Sequence, residues 1–227
     1  MALSEPAANG TVVLVPIRSF DDAKRRLAES LDRQRRRALM RQMAETVIAA
    51  AHDLPVWVVT DDNEVADWAQ EMHVATHRVG VSGLNAATTA AAAAAAAAGA
   101  ARIIISHADL PYASDLRVVT GPGVAIAPDR RRDGTNVMSL PTGTGFTFAY
   151  GPGSFVKHRA EAARLGLEFS EVYDASLAWD VDSPADLPSH LARPAHHASR
   201  RDSDTAQRSA SHSHPGATAS KFPDYAH

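Results

Sequence analysis

The feature that most constrains this chain is an alternation: short continuous apolar runs, each closed by a turn residue, separated by longer stretches with helical spacing. Thr11-Val12-Val13-Leu14-Val15-Pro16 is apolar at consecutive positions, the pattern of a strand covered on both faces. Val56-Trp57-Val58-Val59-Thr60 and Arg102-Ile103-Ile104-Ile105-Ser106 repeat it, and Val124-Ala125-Ile126-Ala127-Pro128 is a weaker copy. Helical patterns fill residues 22–30, 33–52, 63–71 and 84–98. Strand, helix, strand, helix predicts a mostly parallel sheet with helices on both faces, a three-layer, Rossmann-like α/β domain.

The second half is more mixed. Gly145-Phe146-Thr147-Phe148-Ala149-Tyr150 reads as a strand, 155–165 as a helix, 168–172 as a short strand and 184–191 as a closing helix, so an antiparallel element is expected beside the parallel ones. Residues 1–10 read as a flexible start, 11–192 as the domain and 193–227 as a disordered tail. The tail is rich in proline, serine, histidine and alanine without periodicity, leaving too little apolar surface to offset the entropy of ordering. Its His196-His197 and Ser211-His212-Ser213-His214 have no evident ordered partner ligand, and no function is assigned to them.

Composition excludes several classes. With no cysteine, disulfides and thiolate metal sites are ruled out. A formal net charge of −3 gives no global attraction to nucleic acid. Residues 86–101 form the longest weakly apolar stretch, but alanine, threonine and glycine are too little hydrophobic to span a bilayer. The opening Met1-Ala2-Leu3-Ser4-Glu5-Pro6 lacks the basic start and apolar core of a secretory signal, so a cytoplasmic protein with neither membrane nor nucleic-acid partner is expected.

Chemistry gathers at strand ends. Asp109, in His107-Ala108-Asp109-Leu110-Pro111, follows the strand at 102–106, where open α/β sheets bind ligands; alone it also fits a capping turn. Asp180-Val181-Asp182-Ser183-Pro184 adds two carboxylates on one face of an extended segment, with Val181 turned inward; Asp182 also fits a helix cap. Like charges side by side call for a cation, and three carboxylates suit a hard one carrying a nucleotide triphosphate. Arg18 and Lys24, after the first strand, are the cations best placed for triphosphate oxygens, while Arg26 reads as a solvated face.

Three further segments suit anions. Gly83 and Asn85 stand at the start of the alanine helix, whose first N–H groups lack intrahelical partners. In Gly151-Pro152-Gly153-Ser154, with Ser154 as the expected N-cap, a glycine loop opens another helix, either as a phosphate or carboxylate cradle or as an ordinary turn. Asp129-Arg130-Arg131-Arg132-Asp133-Gly134-Thr135-Asn136 supplies a second anion-friendly loop expected nearby. Neither Gly-x-Gly-x-x-Gly nor Gly-Lys-Ser/Thr follows the first strand, so the dinucleotide and P-loop fingerprints do not apply.

Taken in order, Val15-Pro16-Ile17-Arg18 with Ala23-Lys24-Arg25-Arg26-Leu27, Gly83-Leu84-Asn85, Ala108-Asp109-Leu110-Pro111, Gly134-Thr135-Asn136, Gly151-Pro152-Gly153-Ser154 with His158, and Asp180-Val181-Asp182-Ser183-Pro184 resemble the CofC/FbiD guanylyltransferases of coenzyme F-420 biosynthesis. The resemblance implies a nucleotidyltransferase of the nucleotide-diphospho-sugar transferase-like fold. It would transfer GMP from GTP to phosphoenolpyruvate, 2-phospho-L-lactate or 3-phosphoglycerate, release diphosphate, and hand the product to the next transferase of the pathway. Asp109, Asp180 and Asp182 would hold Mg2+. Thr135, Gly151 and Ser154 would bind the acid; Arg18, Gly83 and Asn85 would bind the nucleotide; Arg18, Lys24 and Asp109 would carry the catalysis. The chain departs from the family where Arg18 replaces the usual lysine, and at Arg132-Asp133-Gly134-Thr135 and Val79-Gly80-Val81-Ser82-Gly83. A sugar-phosphate or molybdopterin nucleotidyltransferase and a catalytically silent nucleotide-binding module are the alternatives.

Overall fold

A computed structural model describes residues 10–21 and 24–187. The expected flexible start up to residue 9, the end of the expected closing helix and the histidine-bearing tail lie outside the described residues. In chain order the elements are β1 (Thr11–Pro16), α1 (Arg33–Ala49), β2 (Val56–Val59), α2 (Asn63–Glu71), β3 (Ala75–His77), α3 (Leu84–Ala97), β4 (Arg102–Ser106), β5 (Val124–Pro128), β6 (Thr135–Pro141), α4 (Ser154–Arg164), β7 (Phe169–Glu171) and α5 (Ala175–Ala178).

The strands form one seven-stranded sheet in the order β3-β2-β1-β4-β6-β5-β7. All neighbours run parallel except β6, which is antiparallel to both β4 and β5. Successive strand side chains face opposite ways, so each apolar run feeds two cores. Val13, Val15 and Val58 pack with Met43 and Val47 of α1 and Val65 and Trp68 of α2. Val12, Leu14, Trp57 and Ile105 face the other way, toward Ala91 and Ala95 of α3 and Phe155 and Ala162 of α4. The sheet is therefore the middle of three layers, as its consecutive apolar positions require, and each fully buried side chain of this size contributes roughly 1.5–3 kcal/mol.

Local signals explain the helix starts. Asp32 caps α1 by accepting from the Arg35 N–H at 2.8 Å, and Asp62 caps α2 by accepting from Val65 at 3.0 Å. Alanines let α3 lie close on the sheet through Thr88, Ala91 and Ala95.

Three expectations need correction. The segment 145–150 is not a strand, because its amide groups are taken by side chains: Thr147 donates to Glu161 Oε1, Ala149 to His158 Nε2 and Tyr150 to Asn85 Oδ1. The antiparallel element is β6 instead. Of the helix expected over 22–30, the described residues 24–30 form one 3-10 turn, Arg25–Leu27, because Lys24 has a left-handed backbone with φ 56°. Among the described residues of the helix expected over 184–191 there is a 3-10 turn, Pro184–Asp186, capped by Ser183 rather than Asp182.

Candidate active site

The carboxyl ends of β1, β2 and β3 open into a cleft of about 870 Å³. Arg18 is exposed at its wall, opposite the 79–83 loop and the start of α3. Asp61 shapes that loop by accepting from the backbone N–H groups of Val79 and Gly80 at 2.9 and 3.0 Å. The Gly80 bond, outweighing burial, holds the Asp61 carboxyl below its usual range. Gly83, at φ 93°, turns the chain into α3 with a backbone that an L side chain rarely adopts. Asn85 does not line this cleft. Its amide bonds both backbone groups of Tyr150, at 2.7 and 3.3 Å, and so fastens the 145–150 segment to α3.

Beyond the carboxyl end of β4, the strand next to β1, the two aspartate motifs meet. The Val181 N–H donates to the Asp109 carbonyl at 3.2 Å, and Val181 is fully buried between its flanking aspartates. Lys24 Nζ bonds Asp109 Oδ2 and lies 3.1 Å from Asp182 Oδ1. Burial opposes the Lys24 charge, but Asp109 and Asp182 overcome it and raise its pKa. Burial would likewise raise the Asp109 carboxyl; Lys24 and then His107 hold it down. Asp180 is left with the opposite balance, its carboxyl pushed up by burial, Asp109 and Asp182.

This is a correction to the expected roles. Lys24 does not stand free for phosphate oxygens but neutralises two of the carboxylates expected to hold magnesium. Among the described residues no three His, Asp or Glu side chains are arranged to hold a metal ion. The residues still fit one: Asp109 Oδ1 is buried without a hydrogen-bond partner, and one ammonium leaves the three carboxylates with excess negative charge.

The geometry of this cluster depends on Asp186, a residue to which the sequence reading gave no role. Its Oδ2 accepts from the Ser183 N–H at 2.8 Å, the Ser183 hydroxyl at 2.7 Å and the Asp182 N–H at 3.2 Å, while Oδ1 takes Arg130 at 2.5 Å. Burial works against its charge, yet Arg130 and Ser183 hold its pKa down to about 2. The Ser183-x-x-Asp186 capping box was the available signal.

Thr135, Gly151 and Ser154 are also brought together. Ser154 Oγ lies 3.4 Å from Thr135 Oγ1, and the Ser154 N–H donates to Gly151 O at 3.0 Å. Ser154 is not the N-cap; Gly153 is, at φ 71°. The Gly153 N–H donates to Asp133 Oδ1 at 3.2 Å, so it is not free for an anion. Asp129 braces the other loop by accepting from Gly134, where a Cβ would come within 2.9 Å of its Oδ2. Thr135 and Ser154 are buried and Gly151 is exposed.

Residues 11–200 match the family described as guanylyl transferase CofC like. The phosphoenolpyruvate guanylyltransferase of Sphaerobacter thermophilus is 33% identical over 188 residues, covering 78% of this chain and 90% of that protein. The 2-phospho-L-lactate guanylyltransferase of Methanocaldococcus jannaschii is 30% identical over 183 residues, covering 77% and 80%. Among solved structures, a protein described as a nucleotide-diphospho-sugar transferase from Desulfovibrio desulfuricans superposes with a TM-score of 0.59 at 15% identity, over 76% of this chain and 82% of that one, which establishes the fold.

Proposed function

This chain belongs to the CofC-like guanylyl transferase family, and from that premise we propose that it transfers GMP from GTP to phosphoenolpyruvate, or to the related 2-phospho-L-lactate or 3-phosphoglycerate, in coenzyme F-420 biosynthesis. It is a nucleotidyltransferase. The observation that carries the mechanistic reading is the junction of Asp109 with Asp180-Val181-Asp182 beyond the carboxyl end of β4, the strand next to β1.

The chemistry asks little of general base catalysis. A phosphomonoester has its second pKa at about 6, so its oxygen is largely dianionic at neutral pH and can attack the α-phosphorus directly. A new P–O bond forms there, the bond to the β-phosphate breaks, and diphosphate leaves with its electron pair. Asp109, Asp180 and Asp182 are the proposed ligands of a magnesium ion, which when bound would neutralise the triphosphate charge. Lys24 holds the Asp109 carboxyl in its charged form and ties Asp109 to Asp182. Arg18, exposed on the cleft wall, faces the departing diphosphate. The 79–83 loop and Gly83 border the nucleotide; Thr135, Gly151 and Ser154 orient the acid for in-line attack. Asn85 acts indirectly, by holding the 145–150 segment.

The proposed setting is the cytoplasm, with the activated product handed to the next transferase; no helix among the described residues is long and apolar enough to cross a membrane. The test is diphosphate release from GTP with each of the three acids, with and without magnesium. Turnover that needs both an acid and the cation supports the reading, and turnover with a sugar phosphate but none of the acids refutes it.

A further inference from the structure

Helix α4 carries a buried histidine that the reaction as described leaves unused. His158 is fully buried, and both of its ring nitrogens have partners. Nε2 lies 2.9 Å from the Ala149 backbone nitrogen, and Nδ1 lies 3.0 Å from Thr135 Oγ1. A backbone N–H can only donate, so Nε2 accepts, and the proton of the ring sits on Nδ1. Thr135 Oγ1 therefore receives a hydrogen bond from His158.

The direction of that bond has a chemical consequence. A hydroxyl can donate or accept, whereas phosphate and carboxylate oxygens only accept. Ser154 Oγ lies 3.4 Å beyond Thr135 Oγ1. Whichever of the two hydroxyls donates to the other, a chain that begins at a backbone donor ends on a hydroxyl proton left for a further acceptor. Both hydroxyls are buried, so bulk water does not set their direction; the imidazole does. Burial first, then His107 and Lys157 and against Glu161, lowers the His158 pKa to about 4, so the ring stays neutral at neutral pH.

We infer that His158 is a positioning residue whose Nδ1–H leaves the Thr135–Ser154 hydroxyl pair with one proton to donate toward the anionic oxygens of the acceptor acid. The inference rests on the proposed function, since it takes the acid to bind at this hydroxyl pair. It assigns the histidine a part in acceptor binding rather than in the chemical step. A purely structural histidine, filling space between Phe146 and Tyr150 at ring-centroid distances of 5.8 and 4.9 Å and held in the same tautomer by Ala149, would not raise KM for the acid selectively when replaced.

Two measurements decide it. Nitrogen NMR of the full chain with labelled histidine is expected to find the His158 ring protonated on Nδ1 and bare on Nε2; the opposite tautomer overturns the inference. Steady-state kinetics then compare His158→Asn, which keeps an N–H near the Nδ1 position, with His158→Leu, which has none. The leucine variant is expected to raise KM for the acid about tenfold with KM for GTP nearly unchanged, and the asparagine variant to recover most of that loss. Equal rises in both KM values, no change with leucine, or no recovery with asparagine overturns it. An inactive wild type with all three acids refutes the proposed function and this inference with it. An active wild type with an unaltered leucine variant refutes the inference alone.

Discussion

The backbone N–H of Val181 donates to the carbonyl oxygen of Asp109 at 3.2 Å, joining two segments that lie far apart in the sequence. Val181 is buried, and Asp180 and Asp182 flank it beside Asp109. Asp109→Asn and Asp182→Asn are expected to lower magnesium-dependent diphosphate release by roughly a hundredfold or more, the scale of losing one electrostatic group at a reacting centre. Circular dichroism should stay at the wild-type signal. Wild-type turnover in both variants would reject the metal assignment.

Ser154 tests the acceptor side. Removing its hydroxyl in Ser154→Ala is expected to raise KM for the phosphorylated acid about threefold to tenfold, the worth of an ordinary hydrogen bond, with little change in GTP binding. Unchanged saturation by the acid would remove Ser154 from the site.

Asp186 tests the scaffold. Asp186→Ala removes three accepted hydrogen bonds around residues 182–183 and leaves Arg130 unpaired, so it should lower unfolding stability by about 1–3 kcal/mol in denaturant titrations and lower turnover as well. The folded carboxyl has its pKa depressed to about 2 from 3.8, so its stabilisation is present above 3.8 and lost as the pH falls through that window. An unchanged denaturation midpoint would show that the capping box does not hold the loop.

Much of this architecture is legible in the sequence because consecutive apolar positions admit few alternatives. β1, β2, β4 and β5 are covered on both faces, and such runs announce themselves. β6 does not, since Thr135, Asn136 and Ser139 are buried polar residues whose partners come from distant segments: Asn136 donates to Leu177 O at 3.0 Å, and Ser139 accepts from Arg102. The reverse error occurs at 145–150, where aromatic alternation imitates a strand but the amide groups meet side chains of α3 and α4. The site divides in the same way. Asp109, Asp180 and Asp182 are marked by strand ends and i, i+2 spacing, whereas the pairing of Lys24 with Asp109 depends on how the chain turns at Lys24, which no local pattern encodes.

His158 makes the acid limb of the stability curve informative. Its pKa falls from 6.5 to about 4 on folding, so the folded protein binds this proton less readily than the unfolded chain. Its contribution is complete above 6.5 and is lost as the pH falls toward 4. Lys157 and His107 add to this depression and Glu161 opposes it. The melting temperature of the wild type should therefore fall more steeply across that range than that of His158→Asn. Parallel curves would contradict a buried neutral imidazole.

The central claim is that this site joins GMP to a small phosphorylated acid. Mass spectrometry of the products formed from GTP and magnesium with phosphoenolpyruvate, 2-phospho-L-lactate or 3-phosphoglycerate tests it most directly. The account predicts the mass of a guanylylated acid, accompanied by an equal amount of diphosphate, for at least one of the three. Release of GDP or orthophosphate with no such adduct from any of them would contradict it.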